Sequence, residues 1–125
     1  MRIFKTRVFA KFTRTARIAD SSLREAVERA ERGLVDADLG GGVIKQRVAR
    51  QGQGRSGGYR MLVALRTDVR AVFLYGFAKN ERDNIEEDEL ATLQEIAATW
   101  LRAGAEEIER AVADVQLQEV NDDDT

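Results

Sequence analysis

A chain of 125 residues, 43% of them apolar, is expected to bury one hydrophobic core in a single domain. With no cysteine and no histidine, it excludes disulfides, thiolate chemistry, Cys/His zinc sites and every mechanism that uses a histidine base. The net charge of −2 conceals a division: residues 1–82 hold 18 Lys/Arg against 8 Asp/Glu, and residues 83–125 hold 2 against 14. A basic body with an acidic tail points to phosphate or nucleic-acid contact by the body, although such a split also serves solubility.

Met1 to Phe4 reads as the start of a short strand, and Phe4, Val8 and Phe12 at i, i+4, i+8 set a helical period that runs to Ile18. Arg2, Lys5, Arg7, Lys11, Arg14 and Arg17 precede any acid, a composition shared with organellar transit peptides, but the apolar spacing suits a helix packed on a core. Ser22 with Glu25 reads as a capping box opening a second helix along Leu23, Ala26, Val27, Ala30 and Leu34, with Gly33 as its C-cap. Gly40-Gly41-Gly42 then breaks the chain. From Val43 to Arg50, Ile44 and Val48 take one face of a half-buried strand and Lys45 and Arg47 the other. Tyr59 to Arg66 and Arg70 to Phe77 are two more strands joined by a tight turn at Thr67-Asp68-Val69. The nearly all-apolar second run suits a strand covered on both faces.

Asn84 with Glu87 reads as a capping box for a long helix whose apolar face is Leu90, Leu93, Ala97, Trp100 and Leu101, expected to close over the sheet. The carboxylates at 86–89 suit a helix first turn and fan outward, so no metal site is expected from them. Past Gly104, Ile108, Ala111, Val112 and Val115 continue as an acidic helix, ending in a tip expected to be disordered. The expected fold is therefore α+β: a small antiparallel sheet carrying two N-terminal helices and a C-terminal helix over residues 1–104, with residues 105–125 as an acidic helical extension. That extension either covers the basic hairpin as a mimic of nucleic acid or is a solvated, partner-packing segment. No apolar run approaches the roughly 20 residues of a membrane span, and no signal-peptide core is visible, so a cytoplasmic location and no membrane partner are expected.

Between Asp38 and Asp68 there is no acid, while Lys45, Arg47, Arg50, Arg55, Arg60 and Arg66 line two strands joined by the glycine-rich run from Gly52 to Gly58. The spacing G-x-G-x-x-G occurs there, but a strand rather than a helix follows, and no acid stands about 20 residues on to hold a ribose. A nucleotide cofactor is accordingly not expected, and Arg50 and Arg55 read as contacts to a polyanion. RNA cleavage needs neither histidine nor metal when cations stabilise the charge that develops as a 2′-hydroxyl attacks the neighbouring phosphate. Lys45, Arg47, Arg60 and Lys79 are the candidates for that cluster, with Arg82 and Tyr75 as nearby RNA contacts.

The run Ser56-Gly-Gly-Tyr-Arg-Met-Leu-Val63, followed after the next strand by Ala78-Lys-Asn-Glu-Arg-Asp83 and a helix, resembles the RelE/HigB toxins of bacterial type II toxin–antitoxin modules. The element order agrees over about Met1 to Leu101. The resemblance implies a ribosome-dependent messenger-RNA endonuclease without cofactor, a cognate antitoxin as partner, and toxin–antitoxin hetero-oligomers or homo-oligomers. It also implies that Arg60 stabilises the scissile phosphate and that Lys45 and Arg47 are the basic strand pair. The match departs at Asn80, where RelE has an arginine, and at Glu86, where RelE has a tyrosine on its last helix. A non-catalytic nucleic-acid-binding relative and a ParE-type gyrase inhibitor stand as alternatives.

Overall fold

The computed structural model describes residues 1–49 and 58–121. The expectations for Arg50, Arg55, the glycines at 52–57 and the acidic tip at 122–125 fall outside those residues. Ten elements follow one another: β1 (Arg2–Thr6), α1 (Arg7–Ala16), α2 (Asp20–Glu31), β2 (Ala37–Gly40), β3 (Val43–Val48), β4 (Tyr59–Arg66), β5 (Arg70–Ala78), α3 (Glu87–Arg102), α4 (Ala105–Ala113) and β6 (Leu117–Glu119). The fold is α+β, with a six-stranded sheet of order β2-β3-β4-β5-β1-β6. All neighbours are antiparallel except β1 and β5, which run parallel.

Alternation along the strands divides the core in two. Ile44, Val48, Met61, Val63 and Phe73 face α1 and α2, where Phe9, Leu23 and Val27 close over them. Val43, Leu62, Ala64 and Val72 face α3 and α4, meeting Ala97, Ile108 and Ala111. Leu62 and Phe73 are fully buried, and each contributes about 1.5–3 kcal/mol by leaving water. β4 and β5 lie at the centre of the sheet, as their apolar runs require.

Helix ends differ in part from the sequence reading. The Ser22/Glu25 capping box does not form, since α2 begins earlier, with Ala19 as N-cap and no side-chain bond there. Its C-terminus does use Gly33, at φ +82°, with the Gly33 and Leu34 N–H groups donating to the Ala30 and Arg29 carbonyls at 3.0 and 2.8 Å. The Asn84/Glu87 box is displaced by two residues: Glu86 is the N-cap of α3, and its N–H donates to the Glu89 carboxylate at 2.9 Å. Asn84 instead accepts from the adjacent Ile85 N–H.

The extension over residues 105–125, expected to be helical up to its tip, is helical only from Ala105 to Ala113, and a strand follows. The Gln116 N–H closes the turn on the Ala111 carbonyl at 2.8 Å, with Val115 at φ +59°, a conformation costly for a β-branched residue. The chain then pairs as β6 with β1, and Leu117 is buried. β2 was likewise not expected; it forms a hairpin with β3 through Gly41 and Gly42, both at positive φ. A side chain at Gly42 would start 2.8 Å from Leu101, so this glycine also admits α3 to the sheet.

Candidate RNA-binding site

The face of the sheet under α3 is apolar at one end and cationic at the other. On β3, Gln46 points to α2, where its amide donates to the Ala26 carbonyl at 2.9 Å, so Lys45 and Arg47 take the opposite face. On β4, Tyr59 and Met61 belong to the α1/α2 side, which sets Arg60 beside Leu62 on the same face as Lys45 and Arg47. The register puts Arg47 directly opposite Arg60, and Lys45 opposite Leu62.

β5 reaches this face through a bulge. Leu62 pairs with Tyr75 and Val63 with Phe73, leaving Leu74 as an extra residue. The insertion resets the alternation, so Tyr75 and Phe77 join the face of Arg60 while Gly76 turns toward α1. Phe77 stands opposite Arg60, and Tyr75 lies 6.0 Å from Phe77 between ring centroids. The resulting surface is a row of Arg47, Arg60 and Phe77 beside a row of Lys45, Leu62 and Tyr75.

Electrostatics make the row of cations receptive to an anion. Arg60 is only 7% exposed; burial, and then the like charge of Arg47, push its guanidinium below the ordinary arginine value, with Asp36 partly offsetting them. Asp36 anchors Arg47 at the sheet edge: one oxygen accepts the Arg47 N–H at 2.6 Å and the other pairs with its guanidinium at 3.2 Å. Burial pushes the Asp36 carboxyl up, but these bonds outweigh it and hold the group below the usual carboxylate range. Arg29 braces the same edge from α2, donating to the Arg47 carbonyl at 2.5 Å. Arg29 also pairs with Asp36 at 3.6 Å, so this one carboxylate is shared among the guanidinium groups of Arg29, Arg47 and Arg60.

Lys79 follows the end of β5, exposed, with its N–H donating to the Gly58 carbonyl at 3.1 Å. Arg82 lies over the Phe77 ring at 5.5 Å and donates to the Tyr75 hydroxyl at 3.3 Å. Of the expected site residues, Lys45, Arg47, Arg60 and Tyr75 thus share one face, Arg82 touches Tyr75, and Lys79 adjoins the strand that carries Tyr75. Phe77, Asp36 and Glu89, whose carboxylate pairs with Arg82 at 2.6 Å, were not expected at the site. Register alone brings in Phe77, whereas Asp36 stands just ahead of the acid-free stretch, where its position was a usable signal. Among the described residues no group of three carboxylates is placed to hold a metal ion, and no helix is long and apolar enough to cross a membrane.

The family model describing the RelE toxin of the RelE/RelB toxin–antitoxin system matches residues 1–120, nearly the whole chain. No curated protein matches the chain.

Proposed function

The chain belongs to the RelE toxin family of toxin–antitoxin systems, with an antitoxin as its partner, and we propose that it is a ribosome-dependent messenger-RNA endonuclease working without a metal. The observation that carries this reading is the shared face of Lys45, Arg47 and Arg60, where two guanidinium groups meet across paired strands. Such a pair fits the phosphate of an RNA strand and gains strength as negative charge builds on it. In the proposed reaction the 2′-oxygen bonds to phosphorus and the bond to the 5′-oxygen breaks, leaving a 2′,3′-cyclic phosphate and a 5′-hydroxyl. Water takes the 2′ proton, and the Lys79 ammonium returns one to the departing oxygen. Arg60 and Arg47 hold the phosphoryl oxygens, and Lys45 holds the adjacent backbone. The site of action is the cytoplasm, and the antitoxin silences the toxin in a hetero-oligomer.

Induced expression followed by mapping of messenger ends tests this reading. Arg60→Ala is expected to lower cleavage by about 100-fold or more, the usual effect of removing one charge-stabilising donor, with the protein still folded. Undiminished cleavage by that variant would sink the role of Arg60. Asn80 and Glu86, both exposed and unlike RelE, favour the second reading of a nucleic-acid-binding relative or a ParE-like gyrase inhibitor. A DNA-damage response without cut messages would select the gyrase inhibitor.

A further inference from the structure

A line of alternating charge runs from α2 across the edge of the sheet to its cationic face. The Glu25 carboxylate pairs with Arg29 at 2.7 Å, Arg29 with Asp36 at 3.6 Å, and Asp36 with Arg47 at 3.2 Å. The alternation then fails, because Arg47 stands opposite Arg60 and cation follows cation. A phosphate is the charge that would complete the series. Asp36 is also fixed from behind. Its N–H donates to the Gln46 side-chain oxygen at 2.8 Å, and Gln46, only 1% exposed, donates in turn to the Ala26 and Leu34 carbonyls at 2.9 and 3.2 Å. Asp38, the nearest other acid along the chain, is turned to the Gly40 N–H at 2.9 Å.

An acid is a poor choice where a polyanion binds, since it repels each phosphate that approaches. Local structure does not demand one: Arg29 already has the Glu25 carboxylate, and the Arg47 N–H needs only an oxygen, which an asparagine would offer. The charge matters to the Arg47 guanidinium. That side chain is 45% exposed, and a long exposed arginine keeps its choice of rotamers unless a partner holds it in one. We propose that Asp36 is a positioning residue for RNA cleavage, holding the Arg47 guanidinium where it meets the reacting phosphate while weakening the grip on RNA as a whole. The proposal rests on the RNA-cleavage reading above. Loss of the charge then tightens binding and slows cutting. A carboxylate serving the fold alone would, on removal, weaken both together or change neither.

The test is Asp36→Asn, measured two ways: equilibrium binding to ribosomes carrying a messenger protected from cleavage by 2′-O-methyl groups, and the single-turnover rate on unprotected messenger with toxin in saturating excess. Binding is expected to tighten about two- to fivefold, the scale of one charge near the surface. The saturated rate is expected to fall about tenfold or more, the scale of a displaced catalytic group. Tightened binding also certifies that the variant is folded. In an Arg47→Ala background, where no guanidinium remains to be positioned, Asp36→Asn should leave the saturated rate within about twofold. A saturated rate equal to wild type, binding and rate that fall together, or a full further loss in the Arg47→Ala background each overturns the positioning role. If wild type cuts no messenger on programmed ribosomes, the RNA reading falls and the proposal with it.

Discussion

Arg47 and Arg60 face each other across β3 and β4, a pairing that fold stability alone does not favour, since like charges directly opposite on adjacent strands repel. Asp36 tempers the repulsion but is committed to the Arg47 backbone and side chain together. A bound anion between the two guanidinium groups relieves what remains, and whatever binds only the folded state stabilises it. Inorganic phosphate is therefore expected to raise the thermal midpoint of wild type by a few degrees at millimolar concentration. Arg60→Ala should show a distinctly smaller rise, with sodium chloride at equal ionic strength as control. Equal rises in the two proteins would show that phosphate acts elsewhere.

At the scale of elements, the bulge in β5 connects sequence to site most directly. It turns Tyr75 and Phe77 toward Arg60 and leaves Gly76 facing Phe12, where an added Cβ would start 2.4 Å from the ring. Gly76→Ala must displace Phe12, which touches Tyr59 and Phe9. The expected cost is about 1–3 kcal/mol, the usual range for overpacking. A urea midpoint unchanged from wild type would show that the α1 side yields freely. None of this was visible beforehand, because the run from Ala71 to Phe77 is apolar at nearly every position and carries no alternation for an inserted residue to disturb. β3 could be read in phase because Ile44 and Val48 contrast with Lys45 and Arg47, and β4 was read from Tyr59 to Arg66 as it stands. β2 and β6 escaped notice because four and three residues, with Asp38, Gly40 and Glu119 among them, carry little strand preference of their own. They are strands because β3 and β1 offer open edges. The basic strand residues were thus legible, whereas Phe77 and Glu89 join the site through register and a helix cap that no short-range pattern records.

Across the whole molecule, the two ends of the described chain hold each other. β6 pairs with β1, Val120 donates its N–H to the Ile3 carbonyl at 2.8 Å, and Leu117 and Val120 are buried. Two carboxylates secure this closure. Glu119 accepts two bonds from Arg2, at 2.8 and 2.9 Å. Asp20 bonds the Lys5 ammonium at 2.9 Å and the Asn121 N–H at 3.0 Å, and Lys5 is itself only 6% exposed. Burial pushes the Asp20 carboxyl up, but the Asn121 N–H and Lys5 outweigh it and set it below its ordinary 3.8; the Arg2 bonds likewise hold Glu119 below its ordinary 4.5. A carboxylate depressed in the folded state contributes stability that is in place above its unfolded value and is lost as pH falls through the folded one. The closure should therefore be firm at neutral pH and weaken as pH falls below about 4, when protonation of Asp20 also leaves Lys5 buried beside a neutral partner. Hydrogen-exchange protection of the Val120 amide is expected to fall in that range ahead of the Leu62 amide at the centre of the sheet. Asp20→Asn should lower Val120 protection already at pH 7 and flatten its dependence on acid. Parallel loss at both amides would mean that the sheet opens as one unit, whereas an early loss at Val120 alone marks β6 as the element that leaves first and β1 as the edge it uncovers.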